Sequence, residues 1–157
     1  MTQFTYPGPV FAGPPSVALD VPDGWEAKPG LGPAMTFEHA DGGKLEVLVT
    51  RLRPTESLDD AAKQIAATFA KLPGFKETRR EQTQIGGRAT FDLEAQVKHP
   101  VTRKGYCQVV RYILVEQGET RDLVQLMGTC PAAVESDRAP QIRAMQDSVE
   151  IAVESAA

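Results

Sequence analysis

Tyr106-Cys107-Gln108-Val109-Val110-Arg111-Tyr112-Ile113-Leu114-Val115, then Glu116-Gln117-Gly118-Glu119-Thr120-Arg121, then Asp122-Leu123-Val124-Gln125-Leu126-Met127-Gly128-Thr129, reads as two apolar strands joined by a tight turn. Glycine in first place of a two-residue loop suits a type II′ turn, which matches the twist of antiparallel strands. Counting outward from Gly118-Glu119 sets Gln117 opposite Thr120 and Glu116 opposite Arg121, an opposite-charge pair of the kind that helps fix register. Leu114 then faces Leu123, and Ile113 faces Val124. Carried on without a bulge, the count brings Cys107 opposite Cys130. These are the most apolar strands of the chain and so belong at the centre of a sheet.

Four further strands and two helices surround this hairpin. Upstream, Arg88 to His99 alternates Ala89, Phe91, Leu93, Ala95 and Val97 with polar residues, the period of a half-buried strand. Phe75 to Ile85 is polar and charged throughout, which suits a sheet edge, and Gly86-Gly87 turns one into the other. A shorter hairpin pairs Met35–Glu38 with Lys44–Arg53 across Asp41-Gly42-Gly43. A helix is expected over Leu58–Leu72: Ser57 is its N-cap, Asp59 and Asp60 favour its positive end, and Pro73-Gly74 stops it. Its apolar stripe is Leu58, Ala61, Ala62, Ile65, Phe69 and Leu72. A second helical region follows Pro131: either its helix starts near Ser136-Asp137, the favoured reading, so that Pro140 falls in the first turn where proline is tolerated, or one longer helix kinks at Pro140.

The loops between strands have hairpin length, too short for the crossovers that parallel neighbours need. The expected fold is therefore α+β: a single twisted antiparallel sheet of at least five strands, flanked by helices. Residues 1–15, with Pro7, Pro9, Pro14 and Pro15, form an extended Pro/Gly-rich arm. Residues 16–152 form the single domain, opening with a strand on Val17, Leu19 and Val21, and 153–157 a tail. Trp25, the only tryptophan, follows the Pro22-Asp23-Gly24 turn. It is expected to plug the core edge, with an exposed binding anchor as the alternative role.

Composition excludes several functions. The formal net charge is −4, whereas phosphate recognition needs a basic footprint, so nucleic acid is not an expected partner. No apolar run reaches the length of a membrane span. The N-terminus shows no secretory signal and no lipidation cysteine. The expected location is thus cytoplasmic, and exported only if a leader preceded Met1. Catalytic, cofactor and metal sites are all expected to be absent. His39 and His99 are the only histidines, and His99 with Cys107 supplies too few ligands for zinc. Gly30-Leu31-Gly32 and Gly42-Gly43 lack the strand-to-helix context of a phosphate or dinucleotide loop. No nucleophile elbow is present. Asp92 and Glu94 could form an acid pair, but they lie on what reads as a solvent-facing strand side. Cys107 and Cys130 are a candidate disulfide pair; in a reducing cytosol they would instead be neighbouring buried thiols.

Several local sequences carry a resemblance. They are Ala18-Leu19-Asp20-Val21-Pro22-Asp23-Gly24-Trp25, the strand end Val49-Thr50-Arg51, Ser57-Leu58 opening a helix that closes on Leu72-Pro73-Gly74-Phe75, Ile85-Gly86-Gly87-Arg88-Ala89, and Leu123-Val124-Gln125-Leu126-Met127-Gly128-Thr129. In these the chain resembles the LpqN/LpqT-type actinobacterial proteins of the PsbP-like fold. That fold also serves a Ran-binding nuclear import factor, photosystem accessory proteins and DcrB-type proteins, some of them secretion chaperones. The resemblance implies an α/β/α sandwich and a non-enzymatic, protein-binding or accessory role, such as chaperone or assembly factor for a secreted or membrane-associated protein, with an unknown protein partner. A carrier of a small apolar ligand between sheet and helix is the alternative. The lipoproteins of this family have a signal peptide and an anchoring cysteine, neither of which this chain shows.

Overall fold

A computed structural model describes residues 1–153; the rest of the expected 153–157 tail lies outside the described residues. The main body is a seven-stranded antiparallel sheet. Its strands are β2 (Trp25–Ala27), β3 (Met35–His39), β4 (Lys44–Arg51), β5 (Lys76–Ile85), β6 (Arg88–Lys98), β7 (Gly105–Gln117) and β8 (Thr120–Pro131). They lie in the order β2-β3-β4-β8-β7-β6-β5. The apolar pair β7–β8 is central and the charged β5 is an edge. Helix α1 (Leu58–Ala70) covers one face over β6 and β7, and α2 (Glu135–Asp147) covers the other over β7 and β8. The result is the PsbP-like α/β/α arrangement.

The turn-based register holds over the whole hairpin. Gln117 pairs Thr120, Glu116 pairs Arg121, and ten residues out Cys107 pairs Cys130. Gly118 has φ +60°, as a type II′ turn requires of its first residue. Helix α1 begins with a capping box: Ser57 Oγ accepts from Asp60 N–H at 3.1 Å, and Asp60 Oδ2 accepts from Ser57 N–H at 3.0 Å. Its stripe, Leu58, Ala62, Ala66 and Phe69, packs on Phe91, Leu93, Val110 and Tyr112.

Helix α2 packs closely because β8 carries Gly128 beneath it. A Cβ there would overlap the Ile142 side chain and come within 3.0 Å of the Val109 carbonyl oxygen. Gln146, buried on the same helix, donates to the carbonyls of Val109 (3.0 Å) and Leu126 (3.3 Å). Gly128→Ala is therefore expected to lower stability by about 1–3 kcal/mol, the cost of overpacking a tight contact. Urea unfolding at neutral pH measures it, and an unchanged midpoint would show that Ile142 moves aside freely.

Three expectations need correction. The opening strand is only β1 (Ser16–Ala18), and it leaves the main sheet to pair with β9 (Glu150–Ala152) as a separate two-stranded ribbon. Trp25 follows the Pro22-Asp23-Gly24 turn as expected, and in addition it begins edge strand β2 and pairs with His39. Helix α2 starts at Glu135, right after a 3-10 turn over Ala132–Val134, so Pro140 stands in its second turn. Pro140 is exposed, and there the carbonyl it leaves unpaired is within reach of water. Finally, Asp92 and Glu94 do not face solvent: they are 4% and 6% exposed.

Candidate functional site

The buried carboxylates of β6 are fully engaged by arginines. Arg111 on β7 donates to both Asp92 oxygens, at 2.7 and 3.3 Å, and to Asp147 of α2 at 2.8 Å. Arg143 of α2 grips Glu94 through two bonds of 2.5 and 2.6 Å. Arg79 from β5 reaches both carboxylates at 3.6 Å. This network binds the polar side of α2 to β5–β7, where the apolar core of that face ends. Bidentate arginine pairs hold both carboxylates in fixed geometry, with their oxygens occupied by guanidinium donors. Burial pushes the Glu94 carboxyl up, but Arg143 and Arg79 outweigh it and hold it below the ordinary carboxylate range.

A depressed carboxyl pKa stabilises the fold above the unfolded value, about 4.3 for Glu, and that contribution is lost as pH falls through the folded value. Glu94→Gln is therefore expected to flatten the fall in urea midpoint between pH 7 and pH 3.5. A slope identical to that of the parent protein would remove Glu94 as a source of acid sensitivity.

The two cysteines are neighbours on the α2 face, each 1% exposed and each a free thiol. Hydrogen-bonded and non-hydrogen-bonded pairs alternate along an antiparallel ladder. The Gln117/Thr120 pair closes the two-residue turn and is hydrogen-bonded, so the Cys107/Cys130 pair, an even number of steps away, is too. On the other side of β7, His99 N–H donates to Lys104 O at 2.9 Å, in keeping with this alternation. Such pairs have the wider spacing, about 5.5 Å between Cα atoms, with Cβ atoms farther apart than the roughly 3.5–4.5 Å a disulfide spans. Contact with the Cys130 sulfur, burial and the nearby Glu135 carboxylate push the Cys107 thiol up. Thiol titration of protein purified without reductant is expected to count two thiols in denaturant and almost none in the native state. Finding none in denaturant would mean that the strands tolerate a cross-strand disulfide.

A site with room for a ligand lies at the far end of the sheet from the β7–β8 turn. The β3–β4 turn and the β6–β7 loop form its walls, and β7 and β8 form its floor through Tyr106, Thr129 and Pro131. The cleft has a volume of about 470 Å³, within the common range for ligand sites. Both histidines line it, with Lys44 on one wall and Lys104 on the other.

Each wall is held from behind. Gly42 and Gly43 have φ +97° and +138°, and a side chain at Gly43 would meet Arg138 and the Trp25 ring. Arg138 of α2 donates to Gly42 O and to Gln141 Oε1, both at 2.9 Å. Trp25 Nε1–H donates to the same Gln141 oxygen at 3.1 Å, and its ring stands edge-on to His39 at 5.5 Å. Trp25 is 8% exposed and sits behind the wall instead of lining the cleft. On the other wall, His99 Nδ1 accepts from the N–H groups of Val101 and Thr102, both at 3.1 Å. That fixes the neutral ring's proton on Nε2. Arg103 takes the left-handed conformation, φ +61°, uncommon for a residue with a side chain, while its N–H donates to His99 O at 3.0 Å.

The sequence placed each histidine beside a turn without showing that the two turns meet. Strand order brings them together: β4 runs antiparallel to β8, so its start lies at the same end as the β6–β7 loop. Lys44 and Lys104 carried no sequence signal. A second cleft of the same volume, about 470 Å³, lies between the start of α1 and β5–β6, where Leu58 and Ala89 join Ser57, Asp59, Gln82 and Thr90 in its lining. Among the described residues, no three His, Cys, Asp or Glu side chains are placed to share a metal ion, and no helix is long and apolar enough to cross a membrane.

No family model and no curated protein matches the chain. Solved structures do. LpqN of Mycobacterium tuberculosis, involved in cell envelope biogenesis, aligns with a TM-score of 0.72 at 16% identity, over 89% of this chain and 85% of that one. The Ran-binding protein Mog1p of Saccharomyces cerevisiae aligns at 0.58 and 11% identity, over 85% and 89%. Cyanobacterial PsbP from Synechocystis aligns at 0.50 and 13% identity, over 88% and 92%. The chain has the LpqN-type, PsbP-like fold.

Proposed function

We propose that this PsbP-like domain is a non-enzymatic protein-binding module that works as an accessory factor, in the manner of a chaperone or assembly factor for a secreted or membrane-associated protein. The observation that carries this reading is the cleft between the β3–β4 turn and the β6–β7 loop, an open site with two braced walls. Mog1p is named for binding a protein and LpqN for a part in building the cell envelope, and the present fold is theirs. Binding, not chemistry, also fits the paired state of the buried carboxylates. The sheet edges offer no easy alternative surface. Edge strand β5 is charged and has a register break at Glu77/Arg79, and edge strand β2 spans only Trp25–Ala27; both devices discourage strand addition. We place the protein in the cytoplasm, where buried free thiols such as those of Cys107 and Cys130 stay reduced.

Affinity capture tests this function. The full chain and its Lys44→Glu/Lys104→Glu variant are used as parallel baits in native lysate of the source organism. A discrete protein held by the parent bait and lost with the variant is the expected result. No protein distinguishing the two baits would count against a module that binds through this cleft.

A further inference from the structure

We infer that the cleft takes an acidic, extended peptide segment of the partner. This inference rests on the protein-binding reading above and adds the chemistry of what is bound. The chain as a whole is negative, with 21 acidic against 17 basic side chains, yet among the residues lining the cleft the lysines outnumber the carboxylates, Lys44 and Lys104 against Glu38. The stretch Lys98-His99-Pro100-Val101-Thr102-Arg103-Lys104 holds three permanent cations and no carboxylate. Among the described residues, Lys98, Arg103 and Lys104 form no ion pair, whereas Arg79, Arg111 and Arg143 are all paired. Lys44 faces this loop across the cleft and has only an exposed contact with Glu46, at 3.1 Å, of the kind that contributes little.

The remaining polar groups suit the same ligand. His99 lines the cleft with Nδ1 already occupied, which leaves Nε2 as its free donor, and Tyr106 and Thr129 bring hydroxyl-bearing side chains to the floor. Glu38 is the single carboxylate among the lining residues. Donors and two lysines around a concave site select a ligand that carries carboxylates, and complementary charge speeds and specifies its docking. A walled cleft receives a chain that can thread it, while a bilayer presents a flat surface that would meet only its rim. Exposed Val101, at 82% the most open large apolar side chain of the loop, stands beside the entry and offers an apolar contact next to the charges.

Fluorescence anisotropy with a labelled hexaglutamate peptide tests the inference on the full chain. Hexalysine, and vesicles of phosphatidylglycerol, serve as the competing probes. Hexaglutamate is expected to bind, to weaken as salt rises, and to lose at least tenfold in affinity on Lys44→Glu/Lys104→Glu. The distant reversal Lys63→Glu/Arg88→Glu, which changes net charge equally, is expected to stay within about twofold by distance screening. Thermal midpoints of both variants establish that they are folded. Equal loss in the two variants would reduce the effect to net charge and overturn the inference. So would vesicle binding that depends on Lys44 and Lys104 without peptide binding, which would assign the face to a membrane. If hexaglutamate fails while a lysate partner still depends on these lysines, the binding module stands and its acidic ligand falls.

Discussion

Trp25→Ala is expected to cost about 3–5 kcal/mol of folding stability, the usual loss when a large buried aromatic side chain is removed. The ring is 8% exposed and belongs to the core cluster with Phe37, Leu45, Ala139 and Ile142. Two polar consequences add to the cavity. Gln141 Oε1 loses the indole donor, although Arg138 still donates to it, and His39 loses its edge-on neighbour. Because the same ring backs the β3–β4 turn, the loss extends to the wall of the cleft. Urea unfolding gives the stability, and Trp25→Phe separates ring burial from the indole bond by restoring the former alone. A Trp25→Ala protein with parental stability would mean that the ring contributes little to the core.

Removing Arg111 should be comparably severe. Arg111→Met leaves Asp92 buried without its bidentate partner, and the nearest remaining cation is Arg79 at 3.6 Å. Breaking a buried pair from one side typically costs about 3–5 kcal/mol, since the stranded charge keeps its desolvation penalty. Removing both partners is different. Arg111→Met/Asp92→Leu puts apolar groups in their place, and such replacements are often neutral. The double variant is therefore expected to recover most of the lost stability in equilibrium unfolding. A double variant as unstable as the single one would show that Asp147, which also accepts from Arg111, matters more than Asp92.

Legibility in the sequence followed the range of the interactions. The capping box of α1 joins residues three apart, Ser57 and Asp60, so both halves stand in one window of sequence. The β7–β8 register is equally local in origin: once Gly118-Glu119 fixes the turn, each pair out to Cys107/Cys130 follows by counting. The β1–β9 ribbon had no such anchor, because three-residue strands at opposite ends of the chain carry too short a period to detect. Asp92 and Glu94 were misread for another reason. Alternation of apolar and charged residues reveals that one strand face is polar, but not whether water or an arginine-bearing helix covers it. The packing of α2 supplied the missing information through Arg143 and Asp147. The cleft is the extreme case. His39 and His99 lie at separate turns, and only the placement of β8 between β4 and β7 brings those turns to the same end.

Site-specific photocrosslinking in living cells of the source organism tests the central claim most directly. A photoreactive amino acid is placed at Val101, beside the cleft, or at Ile85, on the turn at the other end of the sheet; both are exposed. The account predicts a discrete protein adduct from Val101 and none from Ile85. Adducts from Ile85 alone, or from neither position, would contradict a protein-binding role for this end of the domain.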